Sequence, residues 1–142
     1  MAMSEETRPI GRGAEGVGAP AGSAAPPRAR AFREILSSLA TLGGVRGGLI
    51  VTPDGLVITS ELPVRSAAEP LAAVGATLGR ELELGAERLG RGEFRTALFS
   101  ADDGTILVGS SLVGFLILLS DPSADIAAVR TALRKAVGRL PG

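Results

Sequence analysis

The chain has 142 residues, 15 basic and 15 acidic side chains, and a hydrophobic content of 45%, which is enough for one domain with a real core. It contains no His and no Cys, which excludes His-based acid–base catalysis, Ser-His triads, Cys-His dyads, disulfides and most zinc sites. The neutral charge balance and the 3% aromatic content provide neither a broad electrostatic footprint nor a stacking platform for nucleic acid.

The first segment, residues 1–27, is rich in Gly, Ala, Pro and Ser and has almost no large apolar side chains. Such a segment cannot bury enough surface to offset the entropy of ordering, so we predict a disordered tail over residues 1–27 and one domain over residues 28–142. The N-terminus lacks the apolar core of a secretory signal, and the longest apolar run, residues 112–119, is far below the roughly 20 residues that span a bilayer. We expect a cytoplasmic protein without membrane insertion.

A helix and a hairpin are predicted to follow. Large apolar residues within 26–42 have the spacing of one helical face, and two glycines end that helix. Residues 45–51 and 56–61 are predicted strands around a Thr-Pro-Asp-Gly turn, in which Pro restricts φ and Gly accepts a positive φ. Gly47 and Gly48 inside the first strand indicate a bulge or a close backbone contact.

The central helix is predicted over most of residues 66–90, with Ser66 and Glu69 matching a capping box. Its large apolar residues recur every three or four positions, at Leu71, Val74, Leu78, Leu82 and Leu89. Small residues lie beside this stripe on a helical wheel, at Ala68, Ala72, Gly75, Gly79 and Ala86. Gly costs a helix about 1 kcal/mol relative to Ala, and close approach of another backbone is the simplest compensation. We therefore predict that the leucine stripe packs on a sheet and that the small face packs against the same helix of a second copy.

Charged residues crowd the end of this helix and the loop after it. Three arginines and a neighbouring leucine are candidate partner-binding residues, and the set that we select is Arg80, Leu84, Arg88 and Arg91. A solvated face balanced by nearby glutamates explains the same arginines, and a single exposed Leu is common. The sequence favours a solvated face, and a partner-binding role for these residues is the alternative.

Three strands are predicted next, over residues 93–100, 105–108 and 112–119. Asp102-Asp103-Gly104 is a hairpin turn between the first two, and Gly109-Ser110-Ser111 is a predicted turn between the second and third. The last strand is apolar on both faces, which predicts a central position in the sheet.

The final helix is predicted to start with Asp121 as N-cap and Pro122 at the first helical position. One face is apolar, and the other carries Arg130, Arg134, Lys135 and Arg139. The predicted element order is α-β-β-α-β-β-β-α, an α+β fold with a five-stranded antiparallel sheet and helices on both faces. The central helix is expected on one face and the terminal helices on the other.

In this order the elements resemble the roadblock (dynein light chain) domain, a roadblock/profilin-like fold. The matching segments are GVRGGLIV, PDGLVITS, LAAVGATLGREL, DDGTILV, LVGFLILLS and DIAAVRTALRKAVGRL, which span residues from about 32 to 140. The resemblance implies a homodimer in which the central helices pair and the two sheets join through an edge strand. Bacterial members that resemble this chain, of the MglB type, bind Ras-like small GTPases of the MglA type, as GTPase-activating proteins or as adaptors.

The resemblance therefore predicts a non-catalytic homodimer that binds and regulates a Ras-like small GTPase in bacterial polarity or motility, with no cofactor and no nucleic acid. A scaffold in a multi-protein complex, without effect on GTP hydrolysis, is the alternative. A small-molecule sensor of the PAS or GAF kind ranks third, because the chain lacks the His, Asn, Gln, Tyr and Trp that often supply the polar groups of a ligand site.

Overall fold

The computed structural model describes residues 27–64 and 67–141. These residues form three helices and a five-stranded antiparallel sheet, in the predicted order. The elements are α1 (Pro27–Ala40), β1 (Val45–Val51), β2 (Val57–Glu61), α2 (Ala68–Arg88), β3 (Thr96–Ala101), β4 (Gly104–Ser111), β5 (Gly114–Ser120) and α3 (Ile126–Arg139). The strand order across the sheet is β2-β1-β5-β4-β3. The predicted α+β fold class is confirmed.

By its contacts the chain divides into two units, Met1–Arg30 and Ala31–Gly142, and the sheet lies wholly in the second. The tail predicted over residues 1–27 lies outside the described residues, except for Pro27, which begins α1. The predicted cap Ser66 also lies outside them; α2 begins at Ala68 after Ala67, whose side chain makes no capping hydrogen bond.

The sheet has one hydrophobic cluster on each face, as predicted. On one face, buried residues of α1 and α3 pack against alternate residues of the central strands, including Leu107, Leu116 and Leu118. On the other face, α2 packs against Val108 and against Phe115 and Ile117 of β5. Strand β5 is buried on both faces, so its predicted central position is confirmed.

The glycine pair in β1 marks a bulge with a close backbone contact, which also agrees with the prediction. The register against β5 shifts between Val45 and Gly47. Gly47 has φ 154°, and a Cβ there would collide with the carbonyl oxygen of Glu61. A Cβ at Gly48 would lie 2.5 Å from the carbonyl oxygen of Ile117. Only glycine lets β1 approach both of its neighbours at this point.

The predicted turn at Gly109-Ser110-Ser111 is wrong. These three residues belong to β4, and the turn to β5 falls at Leu112 and Val113. Gly109 is buried, and a Cβ there would lie 2.8 Å from Cγ1 of Val137 in α3. This glycine therefore makes room for a helix and does not form a turn.

The predicted N-cap of the last helix is also wrong. Helix α3 begins later, with Asp125 as N-cap, whose carboxylate accepts a hydrogen bond from the backbone N–H of Ala128 at 3.1 Å. Asp121 instead forms an ion pair with Arg46 across 3.0 Å. Pro122 lies before the helix and not at its first position.

Candidate protein interface

The small residues of α2 lie against the chain's own sheet. Ala72, Gly75 and Gly79 are buried. A Cβ at Gly79 would lie 2.6 Å from the ring of Phe115, and one at Gly75 would collide with Cδ1 of Ile117. The two glycines therefore accommodate two large side chains of β5, because a helix without Cβ atoms at these positions can lie closer to the strand.

This packing corrects the prediction that the small face meets a second copy. For Ala72, Gly75 and Gly79 the prediction is wrong, since the sheet already occupies that face. Ala68 and Ala86 are half-buried at its margins, and their part in an interface stays a prediction.

The leucine stripe, predicted to pack on the sheet, does so only in part: Leu71 and Leu78 pack against the cluster beneath α2. Val74 is 63% exposed and Leu89 is 77% exposed, whereas Leu71, Leu78 and Leu82 are half-buried. Side chains spaced by three and four residues share one side of a helix. We call this set the α2 flank; it comprises Leu71, Val74, Leu78, Leu82 and Leu89. It is an apolar strip without a complete cover from the described residues.

Among the described residues, strand β3 pairs with β4 alone and lies at an edge of the sheet. The backbone N–H of Ser110 donates to the carbonyl of Arg95 at 2.9 Å, and the ladder continues without a register shift. Hydrogen-bonded pairs alternate along an antiparallel ladder. The backbone groups of Thr96, Leu98 and Ser100 therefore point away from β4, towards the open edge.

The exposed side chains of β3 lie on both sides of this edge. Phe99, 42% exposed, is opposite Ile106, which packs in the cluster beneath α2. Leu98, 39% exposed, is opposite Leu107, which packs beneath α1 and α3. Phe99 and the α2 flank thus share one side of the sheet.

The other edge strand, β2, is less suited to pairing. It has five residues, and its register against β1 shifts between Ile50 and Val51. Short edges with irregular registers resist the addition of another strand. The β3 edge, together with the α2 flank, is therefore the surface best prepared for a further protein chain.

Residues 31–121 match the family model described as the Roadblock/LC7 domain. The chain belongs to the Roadblock/LC7 domain family. A curated relative is the uncharacterized protein MJ0310 of Methanocaldococcus jannaschii, 26% identical over 106 residues, which are 75% of this chain and 93% of that protein.

Solved structures share the roadblock fold. The gliding protein MglB from Thermus thermophilus is similar with a TM-score of 0.73 and 19% identity, over 82% of this chain and 90% of that one. A structure described as MglB with tetrameric arrangement has a TM-score of 0.71 and 20% identity, over 82% of this chain and 89% of that one. The roadblock resemblance predicted from the sequence is confirmed.

The predicted partner-binding residues of this roadblock domain lie along the outer side and the end of α2. Arg80 is exposed, and its guanidinium donates a hydrogen bond to the carbonyl of Pro53 in the β1–β2 turn, so it also holds that turn. Leu84 is 38% exposed, and Arg88 and Arg91 are exposed around the helix end. The four are accessible together, and their contact with a partner stays a prediction.

Within residues 27–64 and 67–141, no group of three or more acidic, His or Cys residues is placed to hold a metal ion. No helix in the same part of the chain is long and apolar enough to cross a membrane.

Proposed function

We propose that this chain forms a homodimer and, as a dimer, binds and regulates a Ras-like small GTPase of the MglA type, as a non-catalytic roadblock protein in bacterial polarity or motility. The observation that carries the proposal is the open β3 edge beside the apolar α2 flank. Membership of the Roadblock/LC7 family and the fold likeness to MglB support it.

A twin copy is the natural occupant of the β3 edge, because an antiparallel strand pair can be symmetric. In a twofold dimer the same patch meets itself, and here the axis would stand perpendicular to the sheet. Both α2 helices then lie on one side, where their flanks can pack together. The backbone groups of Leu98 and Ser100 gain hydrogen-bond partners across the junction.

The symmetry also restricts the register. A perpendicular axis keeps each residue on its own side of the sheet, so opposed residues must both point to the α2 side or both point away from it. One residue near the middle of β3 must therefore face its own counterpart. The two central possibilities are Leu98 and Phe99.

Charge favours the register centred on Phe99. It brings Arg95, which precedes β3, close to the Asp102-Asp103 turn of the second copy, and symmetry repeats this approach at the other end of the junction. The register centred on Leu98 places Arg95 opposite Ala101 instead. An exposed pair of opposite charges contributes about 0.2–1 kcal/mol. The Phe99 register is the one that we propose.

Single cysteines test the dimer and its register without a background thiol, because the chain has no Cys. In the proposed register Phe99→Cys faces itself in a non-hydrogen-bonded pair, at a Cα separation of about 4.5 Å, which permits a disulfide. We expect oxidised Phe99→Cys to run as a covalent dimer on a non-reducing gel, and the matched Leu98→Cys to remain mostly a single chain. If only Leu98→Cys forms the covalent dimer, the register is centred on Leu98 and not on Phe99. A wild-type monomer in light scattering at micromolar concentration would reject the homodimer.

The GTPase part has a separate test. The rate of GTP hydrolysis by an MglA-type GTPase is measured with and without this protein, and binding is measured by calorimetry. We expect binding that weakens in Leu84→Ala and Arg88→Ala, with the dimer intact, whereas Arg130→Ala on α3 leaves it unchanged. Binding without acceleration would assign the scaffold role. No binding to any small GTPase encoded beside this chain's gene would reject the proposal.

A further inference from the structure

Charged side chains are divided unequally between the two sides of the sheet. Helix α2 carries four Glu and two Arg. On the opposite side, α3 has no acidic residue within its bounds and carries four basic ones, and α1 adds Arg33. The net charge of the chain is zero, yet one side of the sheet is basic and the other is acidic. We call the exposed basic set the basic face; it comprises Arg33, Arg130, Arg134, Lys135 and Arg139.

Helices α1 and α3 and the α3 cap contain two carboxylates, and one of them is hydrogen-bonded to the backbone. Glu34 follows Arg33 on α1. Asp125 caps the N-terminus of α3 through the N–H of Ala128, at the end away from Lys135 and Arg139. Within α1, α3 and the α3 cap, the five basic residues exceed these two acidic ones by three. At the margin of the face, Arg134 also lines a surface pocket with Glu83, Glu87 and Glu93. The most basic part of the face is the C-terminal half of α3.

The basic face lacks the side chains of a specific protein or nucleic-acid site. Among the described residues, no large apolar side chain that is exposed belongs to α1 or α3. Protein interfaces normally depend on such anchors. The chain also has no Asn, Gln, Tyr or Trp to read or stack on bases. The basic face can therefore attract an anionic partner by charge but cannot recognise its shape, and the anionic surface of a lipid bilayer is a partner of this kind.

We infer that the basic face binds an anionic membrane surface by electrostatic adsorption, without insertion. This inference rests on the proposed dimer for its strength, because an axis perpendicular to the sheet turns both basic faces to the same side. Ten basic residues then approach one plane, while both α2 helices remain free on the other side. Each basic residue near an anionic leaflet contributes about a fivefold increase in the binding constant.

Vesicle sedimentation tests the inference. The full chain is mixed with vesicles of phosphatidylcholine containing phosphatidylglycerol, and with vesicles of phosphatidylcholine alone, at low salt. We expect binding to the anionic vesicles only, and its loss at high salt. Arg134→Gln/Lys135→Gln should bind at least tenfold more weakly. The matched variant Arg88→Gln/Arg91→Gln, which removes the same charge beside α2, should bind as wild type.

In the binding experiments, three outcomes would overturn the inference: no binding to anionic vesicles at low salt, equal weakening by the two double variants, or tighter binding to a short DNA duplex than to the vesicles. Light scattering on the same samples reports the dimer separately. If the protein is dimeric but does not bind the anionic vesicles, the membrane inference is rejected and the proposed dimer is not. A monomer whose vesicle binding still depends on Arg134 and Lys135 supports the basic face and rejects the dimer.

A further test is which side of the protein faces the vesicle. The chain has no Cys, so one introduced cysteine can carry a label at a chosen position. Thr131→Cys places a polarity-sensitive fluorophore on the outer side of α3, and Glu81→Cys places one on the outer side of α2. We expect a blue shift on anionic vesicles for the α3 label and none for the α2 label. A shift of the α2 label alone would overturn the inference.

Discussion

At the scale of single residues, Gly79 shows how the absence of a side chain shapes the domain. A Cβ here would lie 2.6 Å from the Phe115 ring. We expect Gly79→Ala to lower the free energy of unfolding by about 1–2 kcal/mol, because overpacking outweighs the helix propensity gained. Gly138→Ala, in α3 with open space around it, should raise that energy by up to about 1 kcal/mol. Urea denaturation measures both, and equal effects of the two changes would contradict the packing role of Gly79.

Asp125 and Asp121 form a second pair of residues that can be compared. Asp125→Ala removes the N-cap of α3 and should lower the free energy of unfolding by about 1 kcal/mol. Asp121→Ala removes an ion pair whose side chains are 60% and 33% exposed, so its cost should stay below about 1 kcal/mol. Thermal unfolding followed by circular dichroism distinguishes them; a larger loss in Asp121→Ala would restore Asp121 as the important carboxylate.

The glycines show which residue roles a sequence reveals. Gly55 was readable, because a Thr-Pro-Asp-Gly turn requires a positive φ at its last position, and the structure has φ 93° there. The role of Gly109 was hidden, because its neighbour Val137 is 28 positions away along the chain. Local turn chemistry is encoded within a few residues, whereas a close approach depends on the distant side chain that fills the space.

At the scale of elements, the two sides of α2 were both candidates for the sheet. On a helical wheel the sequence has a leucine stripe and a small face, and hydrophobicity favours the stripe as the side that packs on the sheet. The structure buries the small face because β5 already presents two bulky side chains, Phe115 and Ile117. Element order, the β1–β2 and β3–β4 hairpins and the central position of β5 are predictable, since each depends on local periodicity or local turn chemistry. The rotation of α2 about its axis is not predictable in this way, because it depends on the side chains of the sheet on which the helix packs. The predicted partner-binding residues near the end of α2 stay a prediction.

The rotation of α2 leads to a prediction for the α2 flank. Val74→Glu puts a charge into the proposed helix pairing and should convert the dimer to a monomer, since an unpaired charge is costly to bury. Thr77→Glu is the matched control, an equally charged change at an exposed position of the same helix. Analytical ultracentrifugation measures the mass of each variant. Dissociation by Thr77→Glu alone would place the interface on another side of α2.

At the scale of the whole molecule, a dimer couples folding to association. Dissociation accompanies unfolding, so the midpoint of thermal unfolding should rise by about 3 °C for each tenfold increase in protein concentration. The monomeric variant Val74→Glu should show no such dependence. Scanning calorimetry across a hundredfold concentration range measures it. A midpoint independent of concentration in the wild type would mean that the chain unfolds as a single copy.

The unequal distribution of charge across the sheet has a consequence for how the proposed dimer meets other bodies. Under twofold symmetry the transverse components of two equal dipole moments cancel, and only the component along the axis adds. A neutral protein thereby acquires a permanent polarity with one direction, from the acidic helices of one layer to the basic helices of the other. Such a particle rotates in an external field before it touches anything, so its first encounter with a charged boundary already has a defined side facing it.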